Sequence, residues 1–440
     1  MTKNSQPVSL NPKSQSRRTL TDQTSRFVMI GGFLGSGKTT AILQFARWAY
    51  EQRGWKVAVI TNDQAQGLVD TSLATGARFA VHEIGGGCFC CQSGTLMEAM
   101  EGFAKKLKPE ILIGEPVGSC TDLASTVLGP LRTIYKTDYR LSPLSVLVDP
   151  FRAARIVGAE GAGVAGFSEE VNYIYRKQLE EAEMIVVNKS DVYERKRLAA
   201  LGAALRERYP RAEVLTVSAR TGAGLEDWWE RLLAGTHRAE GYMPVDYGVY
   251  AEGEARLGWV NGEYEVGERR KAKGEGRKGK NGGVDGNGLL EKLAGEIRKA
   301  FVKRKVEVAH LKISLEEGEV GAAKTTNHSP STSHAPRLGV IQWVRSGIAP
   351  EFTQRFDGPV RGGRLLLNLR AEAAPEFLSQ AVKKALAVVS GEAVLREVEY
   401  AAFQPSPPKP THRLTEVGKN GETPKKKKVP AARTGKRVRA

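Results

Sequence analysis

Between residues 27 and 236, short apolar runs alternate with stretches of helical periodicity. The runs Phe27–Ile30, Lys56–Thr61, Phe79–Ile84, Glu110–Ile113, Ser145–Asp149, Met184–Asn188 and Glu213–Val217 show little polar alternation. That is the pattern of strands buried on both faces by crossover helices, and the order predicts an α/β fold with a doubly wound, mostly parallel sheet. From 244 to 404 the pattern changes. Arg256–Val260, Asn261-Gly262 and Glu263–Val266 read as a hairpin, because Asn-Gly suits a type I′ turn. A helix at Leu289–Arg304, strands at Val306–Leu315, Leu338–Val344 and Arg364–Arg370, a helix at Pro375–Val389 and a strand at Val394–Phe403 follow. This predicts a smaller α+β C-terminal domain resembling a ferredoxin-like split βαβ sheet with one extra strand.

The 440 residues allow two or three domains, and 41% hydrophobic with 26% charged residues exclude wholesale disorder. No apolar run approaches the length of a membrane span, and the N-terminal residues lack an apolar signal core, so export is not expected. The net charge of +17 is unevenly placed. Residues 1–26, 268–281 and 405–440 carry +4, +5 and +9, which leaves the rest of the chain close to neutral. These three segments are poor in large apolar residues and are expected to be flexible. The division expected is a disordered basic extension 1–26, a nucleotide-binding domain 27–236, a C-terminal domain 244–404 with flexible inserts at 267–288 and 316–336, and a disordered Lys/Arg/Pro-rich tail 405–440. Nucleic acid is then expected to bind only nonspecifically, through the tail.

The run Phe27–Ile30 leads into Gly32-Phe33-Leu34-Gly35-Ser36-Gly37-Lys38-Thr39-Thr40, a complete G-x-x-x-x-G-K-[ST] phosphate loop. Its glycines turn backbone N–H groups toward the phosphates, and the following helix presents its positive end. Lys38 is expected to reach the β- and γ-phosphates, and the Thr39 hydroxyl to hold Mg²⁺. At the end of another strand stands Asn188-Lys189-Ser190-Asp191. A carboxylate at Asp191 can accept both hydrogen bonds from the N1–H and N2–H₂ edge of guanine, a donor pair that adenine lacks. The Lys189 stem can cover a face of the base, and backbone N–H groups at Ser218-Ala219 can meet its O6. These residues point to GTP rather than ATP.

Glu115, in Glu115-Pro116-Val117-Gly118, is placed to hold the Mg²⁺ water shell or orient the attacking water, and Gly118 to sense the γ-phosphate. Asp63 and Asp149 are further carboxylates at the sheet's carboxyl edge. The catalytic set expected is Lys38, Glu115 and Asp63; the Mg²⁺ set is Thr39, Asp63, Glu115 and Asp149. Only 4 cysteines are present, which excludes a disulfide scaffold. Three of them fall in Gly85-Gly86-Gly87-Cys88-Phe89-Cys90-Cys91, where the glycines permit a tight backbone. Three thiols so close can offer three soft ligands to one ion and leave a coordination place open for transfer. Cys120 and His82 are candidates for the fourth. The thiols imply a reducing, cytoplasmic setting.

Together, GGFLGSGKTT, the glycine-flanked C-x-C-C, Glu-x-x-Gly, the Val-Asp before residue 150 and NKSD resemble CobW-type P-loop GTPases over residues 27–236. That family is implicated in moving Zn, Co or other divalent metals to client metalloproteins, and it is related to the GTPases maturing urease and hydrogenase. The resemblance implies that nucleotide state and metal affinity are coupled. It makes GTP, Mg²⁺ and Zn²⁺ (or Co²⁺ or Ni²⁺) the expected cofactors and cargo, and it is compatible with a homodimer. Asp63 stands where the family usually has Glu, and Gly118-Ser119-Cys120-Thr121-Asp122 is one residue longer than the family's segment. Many members carry a His-rich tract between domains; here, with 6 His in the chain, Lys and Gly stand in that place. Two other readings are a P-loop kinase of a small metabolite, which leaves NKSD and the thiols unused, and a nucleotide-switched nucleic-acid-binding protein resting on the basic tail.

Overall fold

The computed structural model describes residues 25–62, 79–159, 166–238, 242–268, 283–318 and 337–415. Most of the three basic segments and Asp63 lie outside these. Every residue of β1 (Arg26–Gly31) is buried, and its side chains alternate between two cores. Phe27 and Met29 join Leu96, Met100, Ile174 and Leu179 on one face. Val28 and Ile30 join Ala41, Ile42, Phe45 and Trp228 on the other. Such two-sided burial needs helices on both faces, and helices Lys38–Arg53 and Leu225–Ala234 cover one while Ser93–Lys106, Glu169–Glu181 and Arg195–Arg208 cover the other.

The remaining strands of this sheet are β2 (Val57–Asn62), β3 (Ala80–Ile84), β4 (Ile111–Glu115), β5 (Arg140–Leu141), β6 (Ser145–Val148), β7 (Met184–Val187) and β8 (Glu213–Thr216). Their order is β3-β2-β4-β1-β6-β7-β8, and every pairing is parallel, with the short β5 also against β1. Chain progression turns outward in opposite directions on the two sides of β1. That switch point opens a crevice at the strand carboxyl ends, where ligands of such sheets bind.

The C-terminal sheet contains β9 (Leu257–Glu268), β10 (Val308–Glu317), β11 (Leu338–Trp343), β12 (Glu351–Gln354), β13 (Gly362–Glu372) and β14 (Ala393–Phe403) in the antiparallel order β12-β11-β10-β13-β9-β14. Without β11 and β12 the order β10-β13-β9-β14 is the split βαβ arrangement, so two strands are added where one was expected. Leu311, Ile313 and Leu315 face the helices Gly286–Arg304 and Pro375–Val389. Among the described residues, no helix is long and apolar enough to cross a membrane.

The expected hairpin at Asn261-Gly262 is corrected. Here β9 runs straight through, with Asn261 opposite both Asn368 and Ala401. Asn368 donates to Asn261 Oδ1 at 2.9 Å, and a Cβ on Gly262 would come within 2.6 Å of the Tyr264 ring. The glycine serves a close approach in a central strand, and pairing on both edges overrides the local turn preference. The expected flexible tail is corrected in part too. Its opening residues, 405–415, are ordered against the nucleotide-binding domain: Leu414 is buried, with its N–H on Ser125 O at 3.1 Å, and Arg413 donates to Asp122 Oδ2 at 2.6 Å.

Candidate nucleotide and metal site

The phosphate loop connects β1 to the helix Lys38–Arg53, whose N-cap Gly37 has φ 91°. Lys38 and Thr39 are buried at its start, with Lys38 Nζ on Gly32 O at 2.8 Å. The Thr39 hydroxyl donates to Glu115 Oε1 at 2.9 Å, which brings together two of the residues expected to hold Mg²⁺. The Ser36 hydroxyl is buried without a hydrogen-bond partner among the described residues. An orphaned hydroxyl beside a lysine, a threonine and a helix N-terminus fits a nucleoside triphosphate with Mg²⁺.

The residues expected to read the base lie together. Asn188 fastens the loops, donating to Ser36 O at 2.9 Å and accepting from Ala219 N–H at 2.9 Å. Asp191 accepts from the Ser218 hydroxyl at 2.6 Å. Arg220, which sequence reasoning missed, lies 3.7 Å from Asp191 and 2.8 Å from Glu351 of β12, so it bridges to the C-terminal domain. Lys189 Nζ reaches Gly35 O at 2.6 Å and Asp149 Oδ2 at 2.9 Å.

Asp149 has a different setting from the one expected. Its Oδ1 caps the helix Pro150–Ile156 by accepting from Phe151 and Arg152 N–H, and its Oδ2 pairs with Lys189. Burial pushes the carboxyl up, but Lys189 and Arg152 hold it below its ordinary range. Arg152 is a second residue that sequence reasoning missed. Its buried guanidinium donates to the carbonyls of Leu34, Val308, Ala309 and Val344, tying the phosphate loop to β10 and the end of β11. A lone Arg in a helix gives no signal of this, because all its acceptors are backbone atoms distant in sequence.

The thiol loop follows β3. Asn62, at the end of β2, donates to Ile84 O at 2.9 Å and Gly87 O at 2.7 Å and accepts from Phe89 N–H at 2.8 Å. One buried amide thereby fixes the loop to the sheet. Cys88 Sγ stands 2.7 Å from Cys90 Sγ and 3.1 Å from Cys91 Sγ, and the Cys90–Cys91 separation is 3.8 Å. The three sulfurs form a group able to hold one ion. Cys120 also reaches the cluster: hydrogen bonds from Cys120, then Cys90 and Cys91, hold the Cys88 thiol well below its ordinary range. The other thiols are pushed up, Cys91 to about 11 by its contact with Cys88. His82 is not part of the group; it is exposed on β3, with its ring against Phe103 at 6.4 Å.

Two segments that the sequence did not assign to this site close it. Lys409 N–H points at Cys91 Sγ at 3.3 Å, and Thr411 N–H donates to Cys90 O at 2.8 Å. A cavity of about 350 Å³ is lined by Cys88, Cys91, Cys120, the strap residues Pro407 to Lys409, and Tyr250 and Glu254 from the helix Tyr247–Arg256. The phosphate and thiol loops meet through the segment 115–120. A Cβ on Gly118 would stand 3.1 Å from Leu34 N, so this segment lies against the phosphate loop. Gln178 holds it, donating to Gly118 O and Cys120 O at 3.0 and 2.8 Å.

Residues 26–216 match the CobW/HypB/UreG nucleotide-binding domain. The zinc chaperone YeiR of Escherichia coli is 31% identical over 170 residues, 38% of this chain and 47% of that protein. The zinc chaperone YjiA of Escherichia coli is 29% identical over 174 residues, 37% and 49% of the two chains. The chain thus spans about half the length of the curated relatives it matches. The crystal structure of HypB from Archaeoglobus fulgidus, 19% identical over 48% of this chain and 90% of that one, superposes only loosely, with a TM-score of 0.36. The phosphate loop, the NKSD sequence and the thiol loop all fall within the residues, 26–216, that are similar to the CobW/HypB/UreG nucleotide-binding domain.

Proposed function

We propose that this protein is a GTPase metallochaperone that couples Mg²⁺–GTP turnover to the capture of a divalent transition metal and its delivery to a client metalloprotein. Zinc is the first choice, because the curated relatives are zinc chaperones and the donor set is rich in thiols. Asp191 selects guanine, Lys38 binds the β- and γ-phosphates, and Thr39 and Glu115 hold Mg²⁺. When bound, Mg²⁺ offsets the charge of the transferring phosphoryl group. Glu115 also orients the attacking water, and Asp63, after β2, is the further acid. The metal is held by Cys88, Cys90 and Cys91, with Cys120 adjoining.

The single observation that carries this reading is the stretch 115–120. Its first residue accepts from Thr39 of the phosphate loop, and its last lines the same cavity as Cys88. A shift of this segment on loss of the γ-phosphate changes the thiol surroundings directly, which is how a nucleotide state acquires a different metal affinity. The test is Zn²⁺ affinity with a GTP analogue and with GDP bound, alongside GTP hydrolysis with and without Zn²⁺, in wild type and Cys88→Ser. Different affinities that vanish in Cys88→Ser support it. Equal affinities together with metal-insensitive hydrolysis overturn it.

A further inference from the structure

Glu254 lies near the end of the helix Tyr247–Arg256, which runs directly into β9. Its side chain is buried at 2% exposure, and Oε2 has no hydrogen-bond partner among the described residues. The carboxyl lines the same cavity as Cys88, Cys91 and Cys120. The influences acting on it are burial, Ser119, the negative charge of Cys88 and Tyr250; no Lys or Arg is among them. Ionising a carboxyl so withdrawn from water, with the negative charge of Cys88 near it, is costly. Three of the groups lining its cavity are thiols, soft metal donors, so a divalent ion bound there would favour the ionised carboxylate.

We propose that Glu254 is an oxygen ligand of the thiol-bound metal, an assignment that rests on the metallochaperone reading above. Cys88, Cys90 and Cys91 fill three of the four places of a tetrahedral ion. Two donors on different elements would compete for the fourth: Cys120 on the segment linked to the nucleotide, and Glu254 on the helix linked to the C-terminal domain. Exchange of a soft thiolate for a hard carboxylate weakens the hold on a soft ion. Cys120 then favours retention and Glu254 favours release, and the exchange passes the state of the nucleotide to the C-terminal sheet.

The experiment uses the reduced full-length protein with Co²⁺ as the spectroscopic probe and Zn²⁺ competition for affinity, each with GTP analogue and with GDP. Wild type is expected to show sulfur-to-cobalt charge-transfer bands. In Glu254→Gln these bands persist, the ligand-field bands move, and Zn²⁺ affinity falls at least about tenfold in one nucleotide state, the scale of losing a metal-site partner. Without metal, Glu254→Gln melts no lower than wild type, because a neutral amide replaces a buried carboxyl. A variant with unchanged ligand-field bands and affinity in both states overturns the assignment, and so does one that melts lower without metal. If wild type itself lacks the charge-transfer bands, the thiol reading fails along with it.

Discussion

The phosphate loop and the thiol loop stand at the carboxyl ends of strands in one sheet, and both are rich in glycine, yet they are built on opposite plans. The first is local: residues 32–39 are one uninterrupted motif, and its helix N-terminus and anchoring lysine arrive with it. The second is composite. Its three clustered thiols are surrounded by Asn62 from β2, Cys120 from the segment 115–120, Glu254 from the helix Tyr247–Arg256, and a strap whose Lys409 lies 318 residues from Cys91. A site made of consecutive residues is rigid by its own backbone. A site made of distant pieces can be altered by moving any one of them.

The strongest way to break this comparison is Lys38→Ala. GTP hydrolysis is expected to fall at least about 100-fold, with the loss of a charge aimed at the transferring phosphoryl group. The cobalt charge-transfer bands of the thiol loop should be unchanged, and their disappearance would show that the two loops are not separately built. Next in size is Asn62→Ala, which leaves Gly87 O and Phe89 N–H without their partner. Thermal melting should show a loss of about 1–3 kcal/mol from these buried groups. Zn²⁺ affinity should drop while GTP-analogue affinity, measured by calorimetry, holds.

A smaller effect is expected from Arg413→Ala, which unpins the strap from Asp122. Because the Arg413 side chain is 25% exposed, the pair contributes about 1–2 kcal/mol rather than the full value of a buried ion pair. The sharper readout is faster alkylation of Cys91, whose sulfur the strap covers; an unchanged rate would separate the strap from the thiol site. The smallest effect belongs to Arg220→Ala. Its exposed bridge between Asp191 and Glu351 is worth less than about 1 kcal/mol, so GTP affinity should change by no more than about fivefold. A larger change would mean that the C-terminal domain holds Asp191 in place.

The parallel sheet was legible because its strands are buried on both faces and read as unbroken apolar runs; the seven expected strands appear within a residue or two of their predicted limits. β5 and β12 were missed, since strands so short make no pattern of their own. Asn261-Gly262 misled because a dipeptide's turn preference is weaker than pairing on both edges of a central strand. Asp149 carried the right residue type for a metal ligand, but a strand-end aspartate also caps the following helix, and that is where its carboxylate is found. The segment 405–415 looked too polar and proline-rich to order itself. It is ordered by partners elsewhere, Asp122, Ser125 and the carbonyls of the thiol loop.

By itself the sequence determined the phosphate loop motif, the NKSD sequence and the presence of three soft donors, because each depends on residue type at short, fixed spacing. Only the tertiary structure decided what surrounds those donors. Cys120 lines the cavity beside the cluster while His82 is exposed on β3, Glu254 is buried in the same cavity, and the strap closes it. None of these has a local signature, since each is set by which sheet ends, helices and loops meet in space.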